Sequence, residues 1–153
     1  MIILCDIDNC ISDDTWRYPL INWVAPQGRE RYHNYHRAAS CDAAANLHVL
    51  RVPDAKVYFL TGMPEAYAEI RVRWLLRHEV RFAGITFRAN QCIENSVELK
   101  RLMLRGLRAA GVPLEDCVAA YDDRRAVVQM YCEEGLPGVH LQIQEQEHMQ
   151  RVV

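Results

Sequence analysis

The sequence is short of lysine, of long apolar runs and of paired cysteines. Of its 18 basic residues only Lys56 and Lys100 are lysines, so a compact ammonium is available at two points of a chain otherwise rich in arginine. No apolar run approaches the roughly 20 residues that span a bilayer, and no segment reads as a transmembrane helix. The 6 cysteines, Cys5, Cys10, Cys41, Cys92, Cys117 and Cys132, show no CxxC or other metal-ligand spacing. That excludes a zinc ribbon or a disulfide framework as the basis of the fold. Cys5 and Cys117 lie in apolar runs and read as small core hydrophobes. Asp6 interrupts the first apolar run too early for a secretory leader, so a reducing cytoplasm is the expected compartment. Net charge is −2, which leaves little long-range attraction to nucleic acid but does not preclude a local basic patch.

What is there is an alternation of strands and helices along 153 residues, a length suited to one domain with its own core. Ile2 to Ile7 reads as a first strand, Lys56 to Leu60 as a second, Gly84 to Phe87 as a third, Cys117 to Tyr121 as a fourth and Gly138 to Ile143 as a fifth. Pro64-Glu65 opens a helix with Ala66, Ile70, Trp74 and Leu75 on one stripe. Asn95 or Ser96 caps another that carries Leu99, Met103 and Leu107 and stops at Gly111. Val127, Val128, Tyr131 and Cys132 lie on a last helix ending at Gly135. The expected fold is α/β: a Rossmann-like three-layer arrangement around a central five-stranded parallel sheet. Residues 13–40 break the rhythm and read as a small cap inserted after the first strand, within a single domain 1–153. The helix completing the first crossover is expected from Ser40-Cys41-Asp42 to Arg51. The polar tail from Gln144 reads as a frayed end or short helix.

The chemistry gathers where the strands end. Asp6 and Asp8 leave the first strand one residue apart. Burying unpaired charge is costly, and a hard divalent cation with oxygen ligands is the usual compensation. Successive extended residues point to opposite faces, so the two carboxylates share a site only if the strand breaks into a tight loop at Asp8. Such a pair is suited to a phosphoryl-transfer nucleophile and a neighbouring acid/base. Thr61 and Gly62 leave the second strand and offer a hydroxyl and an amide to a phosphoryl oxygen. Asp122 and Asp123 leave the fourth strand and can complete a Mg²⁺ site. Lys100 can set its ammonium against phosphate and nucleophile. In open parallel sheets ligands bind at this edge.

These residues in this order resemble the haloacid dehalogenase-like phosphohydrolase superfamily over essentially the whole chain. The segment Asp122-Asp123-Arg124-Arg125-Ala126-Val127-Val128-Gln129-Met130-Tyr131 is similar to a signature of the 3′-phosphatase domain of phage polynucleotide kinases and their stand-alone relatives. The resemblance implies a phosphoaspartate mechanism with Asp6 as nucleophile and Asp8 as acid and then base. It implies Mg²⁺ held by Asp6, the Asp8 backbone carbonyl and Asp122 or Asp123. It also implies a substrate contact for Arg17. The sequence departs from the pattern at Met63, where the family has arginine, and at Ser96, where it has an acid. The implied substrate is a phosphorylated nucleic-acid 3′ end, with a free (deoxy)nucleoside monophosphate as the alternative. A non-catalytic binding or regulatory module on the same fold is the alternative of another class. No oligomeric state is read from the sequence.

Other features have plainer readings. Thr61 can simply cap the turn after its strand, and Asp122 or Asp123 can cap a helix. Arg71, Arg73 and Arg77 read as the solvated side of their helix, and His33 and His36 as surface residues. Trp16, Tyr18, Trp23, Tyr32 and Tyr35, interleaved with arginines, suit either base stacking or the core of a small cap.

Overall fold

The computed structural model describes residues 1–144. Five strands, β1 (Ile2–Cys5), β2 (Lys56–Pro64), β3 (Gly84–Arg88), β4 (Cys117–Asp122) and β5 (Gly138–His140), pair in the order β3-β2-β1-β4-β5. Every pairing is parallel. The helices are α1 (His33–Arg37), α2 (Ala68–Arg77), α3 (Ser96–Ala109) and α4 (Arg125–Glu133). The chain builds outward from β1 in one direction, then returns to its other side at β4. That reversal is the topological switch point where open α/β sheets bind ligands.

Alternation along β1 explains the layers. Ile2 and Leu4 face a core made with Leu99, Met103 and Leu104 of α3 and Val127 and Met130 of α4. Ile3 and Cys5 face the other way, against Trp74 and Leu75 of α2, with Val57 and Phe59 of β2. Both faces of the sheet are therefore covered, as an all-parallel sheet requires. The Asn95 side chain accepts from Glu98 N–H at 3.0 Å and caps α3. Gly111 (φ +83) and Gly135 (φ +81) end α3 and α4 in the left-handed conformation, each followed by a closing bond, Val112 N–H to Leu107 and Leu136 N–H to Tyr131.

Several boundaries differ from expectation. β1 stops at Cys5, β2 runs on to Pro64, and β5 is the short Gly138–His140. The crossover helix over 40–51 does not form. Short 3₁₀ turns at Ala38–Cys41 and Leu47–Leu50 stand at its ends, and between them the chain pairs with the loop after β1. Asp13 N–H bonds to Ala43, Ala45 N–H bonds to Ile11, and Ser12 bridges Ala44. Asn46 then takes a left-handed conformation, φ +56. Tertiary pairing overrides the helical propensity of the alanines here. Residues 13–40 hold a 3₁₀ turn at Thr15–Leu20, helix α1 and a small apolar cluster of Ile21 and Tyr35 with Tyr18 and Tyr32. The tail expected beyond Gln144 lies outside the described residues. Among those residues, no helix is long and apolar enough to cross a membrane.

Candidate active site

The loop after β1 is what brings Asp6 and Asp8 to one edge. Asp6 N–H still bonds to Tyr121 of β4, at 3.0 Å. The amides of Cys10, Ile11 and Ser12 then all converge on the Ile7 carbonyl at 3.0–3.1 Å. Asn9 sits at φ +59, a conformation asparagine tolerates better than most residues. Its side chain receives Gln144 N–H at 3.0 Å and donates to Gln144 O at 2.7 Å. The strand is thus folded back on itself, and both carboxylates face one cavity of about 140 Å³ at the C-terminal edge of the sheet.

Lys100 organises one side of the site. It lies on the buried stripe of α3 with Met103, Leu104 and Leu107, a position that an unpaired ammonium would make costly. Its Nζ is 3.0 Å from Asp6 Oδ1, 2.9 Å from Asp122 Oδ2 and 2.7 Å from the Leu60 carbonyl. Its hydrogen bonds go to Asp122 and the Leu60 carbonyl, and Asp6 is held beside it as an ion pair. Burial works against the charge, but Asp122 and Asp6 outweigh it and push the Lys100 pKa well up. Asp122 is committed on both oxygens, the second receiving Arg124 N–H at 3.0 Å.

Asp123 turns instead toward Asp6. Ligand atoms of Asp6, Cys10 and Asp123 all lie within 4.8 Å of one another. Burial, then the neighbouring carboxylates, push Asp123 well above its usual pKa. Burial is also the main reason Asp6 is raised to about 6, against the pull of Lys100. Asp6, Asp122 and Asp123 are three carboxylates against one ammonium, so the cluster holds surplus negative charge that protons or a cation must balance. The oxygens of Asp6 and Asp123 fit a hard divalent ion. The Cys10 thiol donates to Leu141 O at 3.1 Å and burial raises its pKa, so it suits such an ion poorly.

Asp8 belongs to a second network. Its Oδ1 accepts from Arg17 Nη2 at 2.8 Å and Arg71 Nη2 at 2.6 Å, and its Oδ2 accepts no hydrogen bond among the described residues. Burial would raise the Asp8 pKa, but Arg71 and then Arg17 bring it below the ordinary carboxylate range. Arg17 is fully buried; its Nε and Nη2 donate to the two oxygens of Asp42 at 2.9 and 2.8 Å, and its Nη1 to Tyr35 O at 2.8 Å. Arg71 also donates to Ser12 at 3.0 Å, and Ser12 in turn donates to Asp42. Trp16 and Trp74 close the network onto Asp42, through its carboxylate and its carbonyl at 2.9 Å each.

Of the candidate residues, Asp6, Asp8, Gly62, Lys100, Asp122 and Asp123 line the cavity. Thr61 and Arg17 lie fully buried behind it. Thr61 Oγ1 accepts from Met63 N–H at 3.1 Å, a turn-capping bond that leaves its own hydrogen free to donate. The resemblance implies a substrate contact for Arg17, whereas its guanidinium here is spent on Asp8, Asp42 and a carbonyl.

Two arginine and histidine readings are corrected outright. Arg71 is fully buried rather than solvated, and His36 is 7% exposed, its pKa pulled down to about 3 chiefly by burial. Tyr67, Arg71, Trp74 and Leu75 form one buried helical stripe, in which the arginine is marked as buried only by partners distant in sequence. Asp42 likewise carried no local signal. Among the aromatics, Tyr32 and Tyr35 line the cavity, while Trp16 and Trp23 are 48% and 46% exposed.

No protein-family model matches the sequence, nor does any curated protein. Solved structures do share its fold. A chain of the Pnkp1/Rnl/Hen1 RNA repair complex is similar over 92% of this chain and 42% of its own length, at 21% identity and a TM-score of 0.66. This chain thus spans less than half of that one. A predicted HAD-like family hydrolase from Porphyromonas gingivalis is similar over 98% of this chain and 95% of its own, at 13% identity and a TM-score of 0.57. A haloacid dehalogenase-like family hydrolase from Streptococcus pneumoniae covers 88% and 81%, at 12% identity and a TM-score of 0.58. The parallel sheet, its switch point and these neighbours together give the chain the fold of the haloacid dehalogenase-like hydrolases.

Proposed function

We propose that this chain is a Mg²⁺-dependent phosphomonoesterase that works through an aspartyl phosphate on Asp6. One observation carries the reading: a buried carboxylate, Asp6, bound by a buried ammonium, stands two residues from a second carboxylate with a free oxygen, both facing one cavity. Asp6 attacks phosphorus and the bond to the leaving oxygen breaks, while Asp8, ionised at rest and protonated at Oδ2 by the phosphate monoanion as substrate binds, passes that proton to the leaving oxygen. In the second step Asp8 takes a proton from the attacking water, the acyl phosphate bond breaks, and inorganic phosphate leaves. Gly62 N–H, on the cavity wall, steadies the phosphoryl oxygens, while Lys100 holds Asp6 in place and Thr61 braces the Gly62 turn through Met63 N–H. Asp6, Asp123 and the Asp8 carbonyl would hold Mg²⁺, which would neutralise charge on the phosphoryl group, and Asp122 positions Lys100. Arg17 and Arg71 are positioning residues that orient Asp8. Residues 13–40 act as a small cap over this edge within the single domain.

The substrate we assign is a phosphorylated nucleic-acid 3′ end. The likeness to a chain of an RNA repair complex and the Asp122–Tyr131 signature support it. A free nucleoside monophosphate is the second reading, favoured by Met63, which is fully buried where the resembled pattern has arginine. The test is phosphate release with Mg²⁺ from an aryl phosphate, nucleoside 3′- and 5′-monophosphates and 3′-phosphorylated oligonucleotides. Release from the oligonucleotides ahead of the mononucleotides is expected. Release from none of them would overturn the enzyme reading and favour a non-catalytic module.

A further inference from the structure

The basic residues around the cavity divide into two sets. Lys100, Arg17 and Arg71 are consumed by Asp6, Asp122, Asp8 and Asp42. Arg29, Arg88 and Arg124 line the same cavity, and none of them forms an ion pair among the described residues. They come from three separate segments: the loop before α1, the end of β3 and the turn between β4 and α4. Elsewhere Arg73, Arg101 and Arg108 each find a glutamate. Other arginines, Arg31 and Arg105 among them, also lack an ion pair among the described residues, but Arg29, Arg88 and Arg124 are the three such groups that line this cavity.

Arg88 is held by neutral acceptors. Its Nε donates to Gly62 O at 3.0 Å and its Nη1 to Glu94 O at 2.7 Å, neutral acceptors that fix the fork without cancelling its charge. Nη2 lies over Gly62, 3.8 Å from where a Cβ would be. Burial lowers its pKa, and Arg124 adds to that effect against Cys92 and Tyr32. Of the cavity carboxylates outside the Asp6–Asp8 site, Asp14 is bound by the Tyr35 hydroxyl, and Glu94 pairs with none of the three arginines. Tyr32 and His36 line the same cavity, ring centroids 6.1 Å apart, and the buried Nδ1 of His36 has no hydrogen-bond partner among the described residues.

We infer that Arg29, Arg88 and Arg124 form a second anion subsite, which takes the phosphodiester adjacent to the scissile phosphate of a nucleic-acid 3′ end. This rests on the phosphatase reading above and adds the residues that select a strand over a mononucleotide. Guanidinium groups suit a phosphodiester because their planar fork matches two of its oxygens. The intervening sugar and base meet the Tyr32 and His36 rings.

The test compares kcat/KM for an aryl phosphate, a nucleoside 3′-monophosphate and a 3′-phosphorylated dinucleotide. The wild type is expected to prefer the dinucleotide over the mononucleotide at least about tenfold, through KM, with the preference shrinking as salt rises. Arg88→Ala is expected to lower kcat/KM for the dinucleotide about tenfold more than for the aryl phosphate. Arg88 also bridges Gly62 and Glu94, so Arg124→Gln and Arg29→Gln, whose side chains hold no other element among the described residues, are measured beside it. Hydrolysis of the aryl phosphate without any dinucleotide preference, or equal losses on all three substrates, would overturn the subsite alone. No hydrolysis of any substrate by the wild type would instead overturn the phosphatase reading.

Discussion

Arg71, carried on α2, donates to Asp8 Oδ1 at 2.6 Å across 63 residues of sequence, and on the same oxygen it meets Arg17. The two guanidinium groups grip one oxygen of the carboxylate and leave the other to face the cavity. They hold Asp8 ionised at rest and fix where its free oxygen points.

Arg71→Lys is expected to loosen that orientation, since a point ammonium cannot reproduce a fork reaching Asp8 and Ser12 together. A misplaced acid/base lowers kcat by on the order of 10²-fold, more for an alkyl than for an aryl leaving group. The Asp8 pKa should rise, moving the acid limb of the pH–rate profile upward. An unmoved profile would show that Arg71 does not act through Asp8.

Asp6→Asn removes the nucleophile and should cut turnover by about 10⁴-fold or more. Asp8→Asn should be comparably poor on alkyl phosphates, while single-turnover phosphorylation by an aryl phosphate should lose less. Near-normal activity of Asp6→Asn would remove the aspartyl phosphate from the reading.

If Asp6 and Asp123 hold Mg²⁺ as proposed, the fold itself should respond to the metal. Millimolar Mg²⁺ should raise the melting temperature relative to EDTA, by about 2.7 kcal/mol at a hundredfold excess over Kd, several degrees for a chain of this size. Asp123→Asn should abolish most of that rise. A midpoint unaffected by Mg²⁺, together with EDTA-insensitive activity, would exclude the metal site.

Asp14 supplies a pH test. Burial, then Asp8, raise its pKa to about 7, well above the value of an unfolded carboxylate. A raised folded pKa means that the native state holds the extra proton: the stability Asp14 contributes is present in acid and is lost as pH climbs from about 4 toward 7. Asp14→Asn, which keeps a neutral group at every pH, should therefore gain on the wild type between pH 5 and pH 8.5 in urea unfolding. A stability difference independent of pH would mean Asp14 is ionised throughout.

Tyr32 separates stacking from packing. If its ring meets a base, Tyr32→Ala should cost nucleotide substrates ~1–3 kcal/mol in kcat/KM while costing an aryl phosphate less. Equal losses on both, accompanied by lower stability, would assign the ring to the apolar cluster around Tyr35.

How much of this was legible in the chain follows from the range of the forces involved. The five strands, the capped helices and the parallel sheet are written in local periodicity and in glycines placed just past helix ends, and the structure bears them out. Asp6, Asp8, Gly62, Lys100, Asp122 and Asp123 each follow or face a strand end, and one sheet edge gathers them because parallel strands all finish there. The buried lysine was conspicuous because lysine is scarce. What the sequence could not reveal is pairing over distance. Arg71 looked solvated because its partners, Asp8 and Ser12, lie 63 and 59 residues away, and the helix expected over 40–51 gave way to hydrogen bonds with the loop after β1. Asp42 is the clearest case. Its own neighbours hold nothing that marks it, yet it is fully shielded in the tertiary structure and receives Arg17, Ser12 and Trp16 at once. A single carboxylate becomes an anchor only when the fold excludes water around it and supplies every donor, and that condition exists nowhere in the sequence alone.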